Sequence, residues 1–118
     1  VAKECGVHQN YKNKVLKAND IATMSTGKRL GHPVRSIKNP YTKEYFKLEY
    51  SNISDEELEA YGRGALYRAA VEGDEKTGCF LAGQIAGMVN KEQTAKEIIE
   101  EIFTQAEDVL KGATKWVK

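Results

Sequence analysis

Histidine and cysteine, the side chains that most often ligate metals or attack substrates, are almost missing: 118 residues hold only His8, His32, Cys5 and Cys79. The cysteines are far apart and form no CxxC pair. Neither histidine has a carboxylate or cysteine neighbour at metal-ligand spacing, so no metal centre is encoded in the sequence pattern. His8 stands where a helix cap is expected and His32 precedes Pro33 in a turn, which favours structural roles for both. A signal segment, basic and then apolar, is also lacking at the start, and no apolar run is long enough to span a bilayer. A reduced, cytoplasmic state without a membrane partner is therefore expected, with Cys79 a small buried hydrophobe.

Net charge is lacking as well, at +1. It hides an asymmetry. Residues 1–50 hold ten Lys/Arg against four Asp/Glu, and residues 51–118 hold eight against thirteen. The basic half suits an anionic ligand such as a phosphate, a nucleotide or an acidic carrier protein, or simply complements the acidic half. Its lysines are scattered without aromatic–basic alternation, which argues against nucleic acid. Internal repeats and low-complexity linkers are absent too. The length suits one modest domain.

What is present is helical, with one β interruption. YKNKVLKA predicts a short helix over Gln9 to Ala18, broken by Asn19-Asp20. Ile21 to Ser25 and Val34 to Ile37 predict two strands around a loop containing Gly27 and Gly31. Asn39-Pro40 is an N-cap followed by proline at the first helical position, and TKEYFKLEY continues as a helix. Ser54-x-x-Glu57 is a capping box that opens a helix to about Val71, ended by Gly73-Asp74. Gly62 and Gly64 within it imply close packing or a bend. Thr94-x-x-Glu97 is a second capping box. It starts the firmest helix, to about Leu110, whose stripe of Ala95, Ile98, Ile99, Ile102, Phe103, Ala106, Val109 and Leu110 Trp116 and Val117 extend.

Two short strands are too few for an independent sheet, and each helix carries an apolar face that needs a surface. The list reads as the outer part of a larger protein, and VAKE at the start reads as the end of an earlier element. One stretch stands out, GCFLAGQIAGMV at 78–89. Gly78, Ala82, Gly83, Ala86 and Gly87 are small, their neighbours are apolar, and Gln84 is the single polar side chain. Such a stretch suits either a core helix that seats a neighbour closely or a pocket wall in which one amide is placed among apolar groups.

VAKE (1–4), HQNYKNKVLKA (8–18), GHPVRSIKN (31–39), GALYRAAVEGD (64–74) and GCFLAGQIAGMV (78–89), followed by the Glu- and Ile-rich last helix, resemble the C-terminal part of a known family. It comprises the FMN-dependent enoyl-acyl-carrier-protein reductases II and the nitronate monooxygenases (2-nitropropane dioxygenases). The resemblance covers essentially the whole chain. It implies a fragment of an α/β (β/α)8 TIM-barrel flavoprotein, this piece being mostly α with a short β-hairpin. Residues 1–20 would end the last barrel strand and form its helix. Residues 21–118 would form a C-terminal helical lid or small domain, with the two-strand segment near 21–38.

The resemblance further implies an oxidoreductase of fatty acid biosynthesis that uses FMN and NAD(P)H on a thioester of acyl carrier protein. No catalytic residue falls in this piece, because the phosphate loops and catalytic histidine of the family lie upstream, and the piece alone is expected to be inactive. Phe80, Leu81, Ala82, Gly83 and Gln84 would wall the cofactor and substrate pocket. Arg35 and Lys38 are candidates for contact with an anionic partner. The upstream barrel of the same protein is the expected intramolecular partner, and a homodimer is left open. The alternatives are a nitronate monooxygenase and, from another class, a stand-alone helical interaction module.

Overall fold

The computed structural model describes residues 1–116. Val117, placed above at the end of the last apolar stripe, lies outside the described residues. The chain is mostly helical with one antiparallel hairpin, and it divides into two compact units, residues 6–91 and residues 1–5 with 92–118.

In the larger unit, α1 (Gln9–Leu16) begins on His8, whose Nδ1 accepts from the Asn10 amide at 3.1 Å. The hairpin pairs β1 (Thr23–Thr26) with β2 (Val34–Ile37), Thr23 opposite Ile37 and Thr26 opposite Val34. Its loop turns at Gly27 and Gly31, both at positive φ, where a side chain would be strained. β1 is thus shifted towards the loop from the expected Ile21 to Ser25. The edge of β2 carries a third extended segment, Gly78 to Ala82. The Ile37 amide donates to the Phe80 carbonyl at 2.8 Å and the Ala82 amide to the Arg35 carbonyl at 3.1 Å.

α2 (Pro40–Glu49) starts as its sequence dictates. Asn39 Oδ1 accepts from the Thr42 amide and Thr42 Oγ1 accepts from the Asn39 amide, both at 2.9 Å. Ser54 and Glu57 close the same reciprocal cap at the start of α3 (Asp55–Gly62). The single helix expected to Val71 is interrupted. Arg63 is extended (ψ 129°) and Gly64 left-handed (φ 75°), after which one α turn, α4 (Ala65–Tyr67), passes into a wider π turn, Arg68–Glu72. Gly73, at φ 63°, ends it. Leu58, Tyr61, Ala65 and Ala69 recur at helical spacing across the break; Leu58, Ala65 and Ala69 are buried and Tyr61 is half-buried.

Two clusters form the core of this unit. One joins Tyr41, Tyr45, Leu58, Ala65 and Cys79, with Tyr41 stacked on Tyr61 at 5.4 Å. The other joins Ile37, Ala69 and Phe80, with Tyr11 and Val15 packed on it. Close approach explains two glycines. A Cβ on Gly78 would lie 2.6 Å from the Asp74 carbonyl oxygen and 2.8 Å from the Ala69 backbone, and one on Gly87 would lie 2.8 Å from Asn19.

In the smaller unit, α5 (Ala95–Ala113) follows the reciprocal cap of Thr94 and Glu97 and runs on into one 3₁₀ turn, Thr114–Trp116. Its N-terminus also receives Glu4, whose carboxylate accepts from the Ala95 amide at 2.9 Å. The first residues pair with residue 93: Ala2 and Gln93 form a parallel bridge, and the Lys3 amide donates to the Gln93 carbonyl at 2.8 Å. None of the residues of α5 is buried, and Ile99, Ile102, Phe103, Val109 and Leu110 are each more than half exposed.

Candidate functional site

The stretch at 78–89 is neither a core helix nor uniformly a wall. Its first half is extended and its second half, Gln84–Met88, is a short 3₁₀ turn. Backbone groups without partners are costly when buried, and here β2 and α1 supply them. Beyond the two bonds to β2, the Tyr11 hydroxyl donates to the Leu81 carbonyl at 2.7 Å. The Tyr11 ring meets Phe80 at 5.0 Å between centroids, and Lys14 Nζ lies 5.2 Å from the same ring centre.

Side chains therefore alternate as on a strand. Phe80 is wholly buried and belongs to the core. Leu81 points the other way and is exposed, Ala82 is half-buried, and Gly83 and Gln84 are exposed. Gly83 differs from Gly78 and Gly87. It has an ordinary negative φ, and the nearest atom to an added Cβ is 3.9 Å away. Nothing within the described residues requires a glycine there.

Beside Leu81 lies a shallow apolar cleft of about 180 Å³, between Val34, Tyr41, Tyr45, Leu66 and Cys79, with His32 at its rim. That is below the roughly 300–1,000 Å³ of a typical ligand pocket. Burial pushes the phenol of Tyr41 far above its ordinary value and those of Tyr45 and Tyr61 upward as well. It also raises the Cys79 thiol, an effect that the neighbouring Ser36 hydroxyl partly offsets. These groups stay protonated at neutral pH, and Tyr41, Tyr45 and Cys79 give the cleft an uncharged wall.

The basic residues are grouped in a way their spacing did not reveal. Lys38 donates to the Ile21 carbonyl at 2.7 Å and lines a groove with Lys14, Lys17, Lys43, Lys47 and Lys76. Arg35 lies outside that lining, with its guanidinium on Thr23 Oγ1 at 3.1 Å. Among the described residues, no three His, Cys, Asp or Glu side chains converge to hold a metal, and no helix is long and apolar enough to cross a membrane.

Comparison with known proteins agrees with this arrangement. The structure of FabK from Thermotoga maritima superposes with a TM-score of 0.92 at 34% sequence identity, over 98% of this chain and 37% of that one. A single-substitution mutant of the same FabK superposes at 0.81 and 30% identity, over 98% of this chain and 34% of that one. The chain thus spans little more than a third of the length of these relatives. No curated protein sequence matches it. The family model for nitronate monooxygenases matches residues 1–105, and on that match the chain belongs to the nitronate monooxygenase family.

Proposed function

We propose that this chain is the C-terminal part of an NAD(P)H- and FMN-dependent enoyl-acyl-carrier-protein reductase, a fragment of a (β/α)8 barrel protein in which the exposed side of residues 81–84 faces the flavin. One observation carries the reading. Leu81, Gly83 and Gln84 form an exposed row whose backbone is pinned by Arg35 and Ile37 on β2 and by Tyr11. A loop held on three hydrogen bonds while its side chains face outward is a rigid platform for something outside this unit.

The row fits the ring of a flavin and not its phosphate. Gly83 leaves open space where a Cβ would stand, so a flat ring can approach the backbone. Gln84 presents one amide donor and acceptor, and Leu81 covers apolar surface and excludes water. The described residues include no glycine-rich loop opening a helix that would cradle a phosphate, so the phosphate anchors would lie in the barrel. When bound, the flavin carries hydride between nicotinamide and substrate, while the protein orients and shields it. The reductase reading is preferred over nitronate oxidation because of the likeness to FabK over 98% of the chain.

The test uses the complete protein. NAD(P)H should bleach its flavin rapidly without any nitro compound, and an enoyl thioester of acyl carrier protein should then restore the colour. Bleaching only in the presence of a nitronate would favour the monooxygenase. Leu81→Trp should lower enoyl turnover more than tenfold at full flavin occupancy, by obstructing substrate. Near-normal kcat/KM in folded, fully flavinated Leu81→Trp enzyme would remove residues 81–84 from the pocket wall.

A further inference from the structure

Gly62 is a glycine that neither backbone strain nor crowding requires. It is the last residue of α3 and has no positive φ, unlike Gly64, which is left-handed. A Cβ built on it would stand 3.4 Å from the Tyr45 ring and 3.7 Å from the Tyr41 hydroxyl, which is ordinary contact and not a clash. Alanine would fit there, and it favours a helix more than glycine does. What the missing methyl group leaves is room. That room belongs to the apolar cleft beside Leu81, which Gly62 lines together with both tyrosines.

The cleft has a mouth and a floor. Leu66, Val34 and Leu81 are 54, 39 and 37% exposed and form the mouth, whereas Tyr41, Tyr45, Ala65 and Cys79 are buried and form the floor. Leu81 also belongs to the outward row at 81–84, so the mouth opens beside the face assigned to the flavin. Among the described residues, no Lys, Arg, Asp or Glu lines the cleft. A phosphate or carboxylate would find no counter-charge there, and burying an unpaired charge is costly. The phenols and the thiol of the floor keep their protons, so they supply none either. A hydrocarbon needs no partner and gains by leaving water. The volume of about 180 Å³ is close to the roughly 150 Å³ of an apolar cavity that takes up benzene, which makes it large enough for about six carbons.

We propose that this cleft is a subsite for the hydrocarbon tail of the substrate, and that Gly62 and Leu66 set the length of tail it accepts. The tail passes Leu81 and runs towards Tyr41 and Tyr45, with the space at Gly62 beside the rings. The assignment rests on the reductase reading for the reacting end of the substrate, and on the cleft alone for its tail. Its test is the complete, flavin-bound enzyme as wild type, Gly62→Ala and Leu66→Ala. The probes are trans-2-enoyl thioesters of N-acetylcysteamine with four, six, eight and ten carbons in the acyl chain, which vary the tail and nothing else.

For wild type, kcat/KM should climb about fourfold per added methylene, the effect of burying one, and level off once the cleft is full. Gly62→Ala should bring the plateau in by one or two carbons. Its deficit should grow from under about twofold at four carbons to about fourfold or more at ten, with a melting temperature no lower than that of wild type. Leu66→Ala, which removes apolar wall at the mouth, should flatten the climb. A deficit equal at every chain length, or absent at all of them, would overturn the proposal. A lowered melting temperature of Gly62→Ala with an unchanged chain-length profile would also overturn it, because a side chain from elsewhere in the protein would then fill the cleft. If no enoyl thioester is reduced, the reductase reading has failed, and the tail subsite is read from calorimetric titration with the saturated butanoyl and decanoyl thioesters. Tighter binding of the longer one, diminished in Gly62→Ala, supports the subsite, and equal affinity for the two overturns it.

Discussion

Three glycines of one segment, Gly78, Gly83 and Gly87, sit in different surroundings, and the difference separates folding from function. Gly78 is walled by the Asp74 carbonyl and the Ala69 backbone. A methyl group there must displace main chain, and overpacking of that kind costs on the order of 1–3 kcal/mol or more. Gly78→Ala should therefore lower the unfolding free energy of the complete protein by at least about 2 kcal/mol in denaturant titration. Gly83→Ala meets open space and should change stability by less than about 0.5 kcal/mol, as surface substitutions do. If residues 81–84 front the flavin, the same change should weaken flavin retention or catalysis. Equal stability loss at both glycines would refute the distinction. Equal, negligible effects on stability and activity at Gly83 would leave the ring no reason to be placed there. None of this was legible in the sequence. The pattern of small residues in GCFLAGQIAGMV was plain, but which glycine touches what depends on Asp74, Ala69 and Asn19.

At the scale of elements, what local chemistry decides was legible and what distant pairing decides was not. His8, Asn39, Ser54 and Thr94 were readable as starts because a cap involves residues two or three apart. The same holds for the hairpin, whose loop glycines and β-branched residues are contiguous. The extended form of Gly78 to Leu81 was not readable, since it exists through bonds to Ile37 and Arg35 some forty residues earlier. The break at Arg63–Gly64 was readable only as far as Gly62 and Gly64 implied close packing or a bend, because flanking apolar residues keep helical spacing. The lysine groove assembles residues from 14 to 76, and only Lys38 among them had been singled out.

Asn39 joins the two levels. Besides capping α2, its amide donates to the Glu75 carbonyl at 3.1 Å and the Gly78 carbonyl at 2.7 Å, tying the helix start to the turn that leads into the platform. A cap alone is worth about 1 kcal/mol, and a buried carbonyl left unpaired costs about 1–3 more. Asn39→Ala should therefore destabilise by about 2–4 kcal/mol, measured by chemical denaturation. Asn39→Asp, which keeps the cap and loses the donor, should fall between. A loss below 1 kcal/mol for Asn39→Ala would show that the ties to Glu75 and Gly78 contribute nothing.

For the whole molecule, buried acids set the alkaline limit. Tyr41, Tyr45, Tyr61 and Cys79 are each pushed up mainly by burial, so the folded chain holds their protons more tightly than the unfolded chain does. Stability from such groups is fully present below the ordinary value and is lost as pH climbs from that value towards the raised one. The ordinary values are 9.0 for the thiol and 10.0 for the phenols. The melting temperature should be level from pH 7 to about 9 and then fall, and Cys79→Ala should delay the onset of the fall. A flat profile to pH 11 would contradict this.

The surface of the 118-residue chain leads to the last prediction. Ile99, Ile102, Phe103, Val109 and Leu110 of α5 are exposed at 56–70%, and in the larger unit Ile21, Leu66, Val71, Ile85 and Met88 are exposed at 54–76%. Exposed apolar side chains in such number, in each unit by itself, mark surfaces meant to be covered, and FabK, which superposes on the chain, is almost three times as long. Produced by itself, the 118-residue chain should self-associate at micromolar concentration, and it should not bind FMN, since the described residues include no phosphate cradle. Ile102→Lys together with Phe103→Lys should shift it towards monomer, because both lie on α5 and neither is buried. Sedimentation velocity and flavin fluorescence on the same samples read both outcomes. A compact wild-type monomer that unfolds cooperatively would mean that these faces need no cover. Micromolar FMN affinity would mean that the anchors for the phosphate lie within this chain, and the assignment of the flavin site to a platform plus a barrel would fall with it.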